Sequence, residues 1–333
     1  MKSPIEILNG MTLAQKVGQL FLIRCPQKDE AQAIACFQPG GLVLFSVDFE
    51  NRTAEECSAR VQAMQDAALI PMLVSADEEG GTVCRVSRQP KLRERKFSSP
   101  RDLYQAGGWE AIKADAAEKC ALLKKVGVNV NLAPVCDLSD DPEHFIYQRS
   151  ISGDAEKACE FTRRVVTLSE ELQVGTVLKH FPGYGGNADT HIGMSRDPRP
   201  LTWFRSHDLK PFAAGVQAGC FAIMMSHNIV TCLEKRLPAS LSPRMHDFLR
   251  SELGFEGVIV TDDLQMDAVK QYFDPSESAV QAVLAGNDLL CCSDWETQIP
   301  AVLRAAENGQ LPEKRLDEAV LRVLTWKHKL GLI

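Results

Sequence analysis

Val177-Leu178-Lys179-His180-Phe181-Pro182-Gly183-Tyr184-Gly185-Gly186-Asn187-Ala188-Asp189-Thr190-His191 begins as an apolar run and stops abruptly at a cation and an imidazole. The apolar part reads as a buried strand. Charge at a buried strand tip is costly unless it meets a partner or a ligand. The glycine- and proline-rich stretch that follows ends in Asp189-x-His191, two polar groups on the same side of an extended segment. The pattern predicts a strand whose carboxyl end carries chemistry, followed by an arm that delivers a proton-transfer group.

Working outward, the same grammar recurs. Short apolar runs occur at 20–23, 41–45, 72–75, 128–132, 175–178, 221–225, 257–260 and 288–290, eight in all. They are continuous rather than alternating, as expected of strands buried on both faces. Amphipathic stretches at 53–68, 110–126, 154–172, 276–284 and 316–330 read as helices between or after them. Alternating strands and helices imply parallel strands with right-handed crossovers. Eight such units in 333 residues favour a single-domain α/β fold, a closed (β/α)8 TIM-type barrel over residues 1–333. An open doubly wound sheet is the alternative, and 90–100 reads as an extra loop.

Composition narrows the function classes. A net charge of −7, without a basic stripe, argues against a nucleic-acid partner. No run approaches the ~18 apolar residues of a membrane span, and the amino-terminal residues lack the apolar core of a secretory leader. The 11 cysteines are scattered without a zinc or disulfide spacing, so thiols in a reducing cytoplasm are expected. No metal or other cofactor is implied, and no leftover apolar stripe marks an oligomer, so a monomer is favoured.

Active sites of such barrels gather at the carboxyl ends of the strands. Those ends here read Asp77-Glu78-Glu79-Gly80-Gly81, then Pro134-Val135-Cys136-Asp137, Lys179-His180, Ser226-His227-Asn228 and Asp262-Asp263. Asp262 follows a stiff apolar strand by one residue, which suits a nucleophile that forms a covalent intermediate at a sugar's anomeric carbon. Asp263 points the other way and caps or buttresses. Asp189 would orient His191 and favour its protonated form, leaving a group able to protonate a leaving oxygen and later activate water. Asp77, Arg149, Lys179 and His180 form a set of donors and acceptors suited to hydroxyl groups. Arg85 reads as structural, and His144, His207, His246 and His328 as ordinary surface or core histidines. Neither the paired early-strand histidines of a metal-dependent barrel nor a glycine-rich phosphate loop after the last strand is present.

Taken together, Lys179-His180-Phe181-Pro182-Gly183, Asp189-Thr190-His191, Asp77-x-Glu79-Gly80-Gly81 and the run from Gly257 to Leu264 resemble family 3 glycoside hydrolases, above all single-domain bacterial β-N-acetylglucosaminidases of cell-wall recycling. The likeness spans nearly the whole chain. It implies a retaining hydrolase with Asp262 as nucleophile and His191, assisted by Asp189, as acid/base. It also implies sugar hydroxyls held by Asp77, Arg149, Lys179 and His180. Muropeptides or chitooligosaccharides are the implied carbohydrate substrates. Another β-glycosidase, a glycoside phosphorylase or a non-catalytic sugar-binding homologue is the alternative. The chain departs from the pattern at Tyr184, where histidine is usual, at Thr82, where arginine is common, and in a shorter interval between Lys179 and Asp189.

Overall fold

In the computed structural model, which describes residues 2–186, 193 and 195–333, all eight apolar runs supply strands. Six strands form one parallel sheet, in the spatial order Leu290–Cys292, Phe21–Arg24, Gly41–Leu44, Leu73–Ala76, Val130–Asn131 and Gly175–Thr176. Val258–Thr261, Ala222–Met225 and Leu178–Phe181 form a second parallel sheet. Only Val177 separates the two strand pieces around it, and parallel bridges join Val135 to Lys179 and Val260 to Leu289. The two sheets therefore meet at both edges.

The helices start where their caps dictate. Thr53 closes a capping box with Glu56 at the head of Ala54–Ala67, and the Asp154 carboxylate takes two amides at the head of Ala155–Glu171. The expected helix at 110–126 begins earlier, at Pro100, because Ser99 caps it and Pro100 fills the first turn. Its early part is offset by non-helical Gly107 and Gly108. The loop at 90–100 is present up to that cap.

Alternation along the strands explains why the runs are apolar throughout. Leu22, Val43, Leu73, Val130, Val177, Ala222, Val258 and Leu289, one from each run, share a core cluster with Val323, Trp326 and Leu330 of the carboxyl-terminal segment. Their neighbours Phe21, Ile23, Leu42, Leu44 and Val74 face the opposite way, into a second core with the surrounding helices. The helix Glu313–Lys329 thus covers the amino ends of the strands, with Trp326 fully buried against Gly175. Asp288 locks that floor: one carboxylate oxygen accepts from Ile259 N and Arg250, the other from Arg315 and Arg322. What remains open is the carboxyl end.

Candidate active site

At that end lies a cavity of about 470 Å³, within the usual range for small-molecule pockets. Leu132, Met224 and Cys291 contribute apolar lining, and polar groups crowd the rest. Asp77, Arg149, Lys179, His180 and Asp262 all line this one space, although they come from distant parts of the sequence. Asp189 and His191 lie outside the described residues.

The first wall is built by the segment after Ala76. A short antiparallel hairpin pairs Glu78–Gly80 with Val83–Cys84, and Gly80 and Gly81 take φ of +104° and +65° at its turn. These are conformations that glycine adopts without strain. The wholly buried Glu78 carboxylate accepts from the amides of Arg85 and Val86, fixing the hairpin. Its backbone pairs with the Asn131 side chain. Glu79 is thereby turned inward. It receives both nitrogens of the Arg149 fork at 2.8 Å and lies 2.6 Å from Lys179 Nζ, which also donates to Asp77 at 2.7 Å.

Burial opposes the charge on all three groups, but opposite charges at contact distance prevail. Arg149 and Lys179 hold Glu79 well below the usual carboxylate range. Asp77 and Glu79 in turn raise Lys179, and Glu79 raises Arg149. The cluster is a rigid, fully ionised set of donors and acceptors.

His180 is oriented by two neighbours. Its Nδ1 lies 2.7 Å from Asp137 Oδ2, and its Nε2 lies 3.3 Å from Arg149 Nη2. A guanidinium only donates, so Nε2 must accept and the ring proton sits on Nδ1, facing Asp137. Asp137 also accepts from the amides of His180 and Tyr184. Tyr184 is buried, edge-on to His180 and Phe145. The Lys179–His180 peptide is cis.

The opposite wall comes from the strand Val258–Thr261. Asp262 continues its ladder by donating its amide to Met225 O, and its half-buried carboxylate accepts from Asp263 N at 2.9 Å. Asp263 does not cap the next helix, whose N-cap is Met266. Its carboxylate instead takes Gln265 N and the Ser293 hydroxyl, locking the turn. Behind it His227 donates Nε2–H to Asp263 O at 3.0 Å and pairs through Nδ1 with Ser240. His227 is thus a support for the aspartate turn, not a group in the cavity.

Three positions differ from the reading of the sequence. Arg85, expected to be only structural, lines the cavity with Nη2 3.3 Å from Asp77. Glu79 carries no role in the sequence reading, although, two residues from Asp77, it shares that residue's side of an extended segment, which is the available signal. Asp137 had no local signal, since the two groups it holds, His180 and Tyr184, are 43 and 47 residues away. The four histidines set aside stay outside the cavity. His207 stacks on Trp203, His246 is buried, His328 is exposed, and His144 takes the amide of Ile146.

The described residues that precede and follow Asp189 and His191 in the chain are themselves held in place. Arg199 bridges Asp197 and Asp208, and its guanidinium lies against Gly185, where a β-carbon would collide. Burial pushes the Asp208 carboxyl up to about 6 against the opposing pull of Arg199. On the far side, Ser195 and Asp197 carbonyls accept from Ile229 and Thr231.

Comparison with known proteins agrees with this arrangement of motifs. Residues 12–326 match the model of the glycosyl hydrolase family 3 N-terminal domain. This chain belongs to that family. It is 31% identical over 326 residues to β-hexosaminidase LpqI of Mycobacterium tuberculosis, covering 94% of this chain and 82% of that protein. A β-hexosaminidase of Xanthomonas campestris is 36% identical over 233 residues, covering 68% of this chain and 69% of its own. The solved structure of LpqI superposes with a TM-score of 0.88 at 29% identity, covering 98% and 96% of the two chains. The family 3 β-N-acetylglucosaminidase from Paenibacillus sp. str. FPU-7 gives the same TM-score at 30% identity over 97% of this chain, which spans 63% of that longer one. The family 3 protein is accordingly a glycoside hydrolase. None of its described helices is long and apolar enough to cross a membrane.

Proposed function

We propose that this family 3 protein is a retaining exo-β-N-acetylglucosaminidase, a single domain over residues 1–333 built on a closed (β/α)8 barrel. The barrel reading is supported by two parallel sheets bridged at both edges, and by eight inward residues, one per run, in a single core. The observation that carries the enzymatic reading is the Asp262 carboxylate, fixed on a strand end in the cavity that holds the Asp77–Glu79–Lys179–Arg149–His180 cluster.

In this reading the cluster grips the hydroxyls of one terminal sugar. Asp262 attacks the anomeric carbon, a glycosyl ester forms, and the bond to the leaving oxygen breaks. His191, oriented by Asp189, gives its proton to that oxygen, then takes one from the water that hydrolyses the ester. No metal or organic cofactor is required. Terminal β-linked GlcNAc of muropeptides or chitooligosaccharides is the substrate class, and cytoplasmic cell-wall recycling by a monomer is the setting we favour. Relatives named β-hexosaminidase support the sugar.

The test is release of nitrophenol from an aryl β-GlcNAc glycoside, with mass spectrometry after a slow fluorosugar substrate. Turnover together with a labelled Asp262 peptide is expected. Turnover without any adduct would replace the covalent route by assistance from the substrate's acetamido group, and no turnover by fresh protein would overturn the activity itself.

A further inference from the structure

The cations deep in the cavity are committed: Lys179, Arg149 and Arg85 each face a carboxylate within 3.3 Å. Arg24 is not. It ends the first strand, solvent-exposed, and its guanidinium carbon lies over the face of Phe45, 4.8 Å from the ring centre. Among the described residues no carboxylate or carbonyl accepts from it.

Strand register explains its place. Ile23 pairs with Cys292 and Arg24 with Val43, so the Arg24 tip stands between Ser293 and Phe45, the residues that follow those two neighbouring strands. Ser293 holds the Asp263 carboxylate, so Arg24 borders the aspartate wall. It also lines a second groove of about 610 Å³, which shares Arg24 and Ser293 with the catalytic cavity and runs outward past Lys28, Gln32 and Trp295. Arg24 therefore marks the threshold between the space for the terminal sugar and the space open to whatever that sugar is attached to.

We infer that Arg24 is a specificity-determining residue that binds a carboxylate on the leaving portion of the substrate, an inference that rests on the hydrolase reading above. A guanidinium already held flat by an aromatic face presents a planar fork, which matches a carboxylate in two parallel hydrogen bonds. The other charges facing the groove are Lys28, Asp29 and Glu296. They sum to −1, so they offer no general attraction for anions and disfavour a doubly charged phosphate. A single-charged planar group beside Arg24 is the chemistry that fits.

The experiment compares three aryl β-GlcNAc glycosides whose ring is unsubstituted, carboxylated or phosphorylated beside the nitro group. The readout is the ratio of kcat/KM between charged and neutral substrates, so any general change in the enzyme cancels. The wild type is expected to prefer the carboxylated ring over both others. Arg24→Met should lower the carboxylate-to-neutral ratio about tenfold, as for loss of a charge-assisted hydrogen bond. Arg24→Lys should restore only part of it, because the charge returns without the fork. A ratio unchanged within twofold in Arg24→Met overturns the assignment, and a stronger preference for the phosphorylated ring overturns the choice of carboxylate. Turnover of none of the three by the wild type would instead overturn the hydrolase reading, and this inference with it.

Discussion

Charge is buried at both ends of the strands, and the two ends use it differently. At the floor, Asp288 is surrounded by Arg250, Arg315 and Arg322 and accepts the Ile259 amide, so its lone pairs are spent on the fold. Lys327, also wholly buried there, donates to the neutral Gln19, and burial brings its pKa down to about 7. At the rim, Glu79 and Lys179 are buried and paired and Arg149 is partly buried against Glu79, yet all three border open volume and stand in one cavity with Asp262. A perturbed charge by itself therefore does not mark a site. Strong pairing beside an accessible cavity does.

The largest effect that would sharpen this contrast is at the rim. Asp262→Ala is expected to lower kcat/KM on an aryl β-GlcNAc glycoside on the order of 10⁴-fold while leaving the melting temperature nearly unchanged, because the residue is half-buried and closes no core. Comparable loss of stability would move Asp262 into the structural class.

Next, Glu79→Gln and Asp288→Asn each remove the charge of a buried carboxylate from the cations packed around it, at a cost of about 3–5 kcal/mol in urea unfolding. Only Glu79→Gln should also raise KM per folded molecule. If both variants do so, the distinction between floor and rim fails.

Lys327 gives a smaller, pH-dependent effect. Its folded pKa lies below its unfolded value of about 10.4, so the unfolded chain binds the extra proton between the two. The native state carries the full penalty below pH about 7 and sheds it as pH rises toward 10. Lys327→Met should therefore gain about 2–4 kcal/mol at pH 6 and less than half of that at pH 9, with activity per folded molecule constant. A gain independent of pH would point to packing instead.

The smallest expected change is Asp137→Asn. The two Asp137 oxygens each accept a backbone amide, so the replacement's NH2 faces one of those donors and no longer fixes the His180 proton on Nδ1; kcat/KM should fall about tenfold, with a lowered unfolding midpoint. An unaltered rate would leave Asp137 as a support for the Tyr184 turn only.

Much of this was legible in the chain. Strands buried on both faces must be apolar at every position, so eight continuous runs sufficed to place the strands, and the charged residues just beyond them had to lie at one end of parallel ladders. Asp77, Lys179, His180 and Asp262 could be named for that reason, and Arg149 through the family likeness. Helix starts followed from Thr53 and Asp154, whose capping is local, whereas the early start at Pro100 was missed because the sequence-level signal at Ser99 lay inside an apparent loop. Tertiary structure alone decided which carboxylates share a cation. The Glu79–Arg149 pair spans 70 residues and the Asp137–His180 pair 43, and no periodicity records such distances. It alone chose buttressing over capping for Asp263, set His227 behind it, and placed Arg24 on Phe45 at the cavity mouth with no carboxylate acceptor among the described residues. Sequence specifies which backbone faces are apolar, because burial acts residue by residue; the pairing of charges depends on where separate strands come to rest side by side.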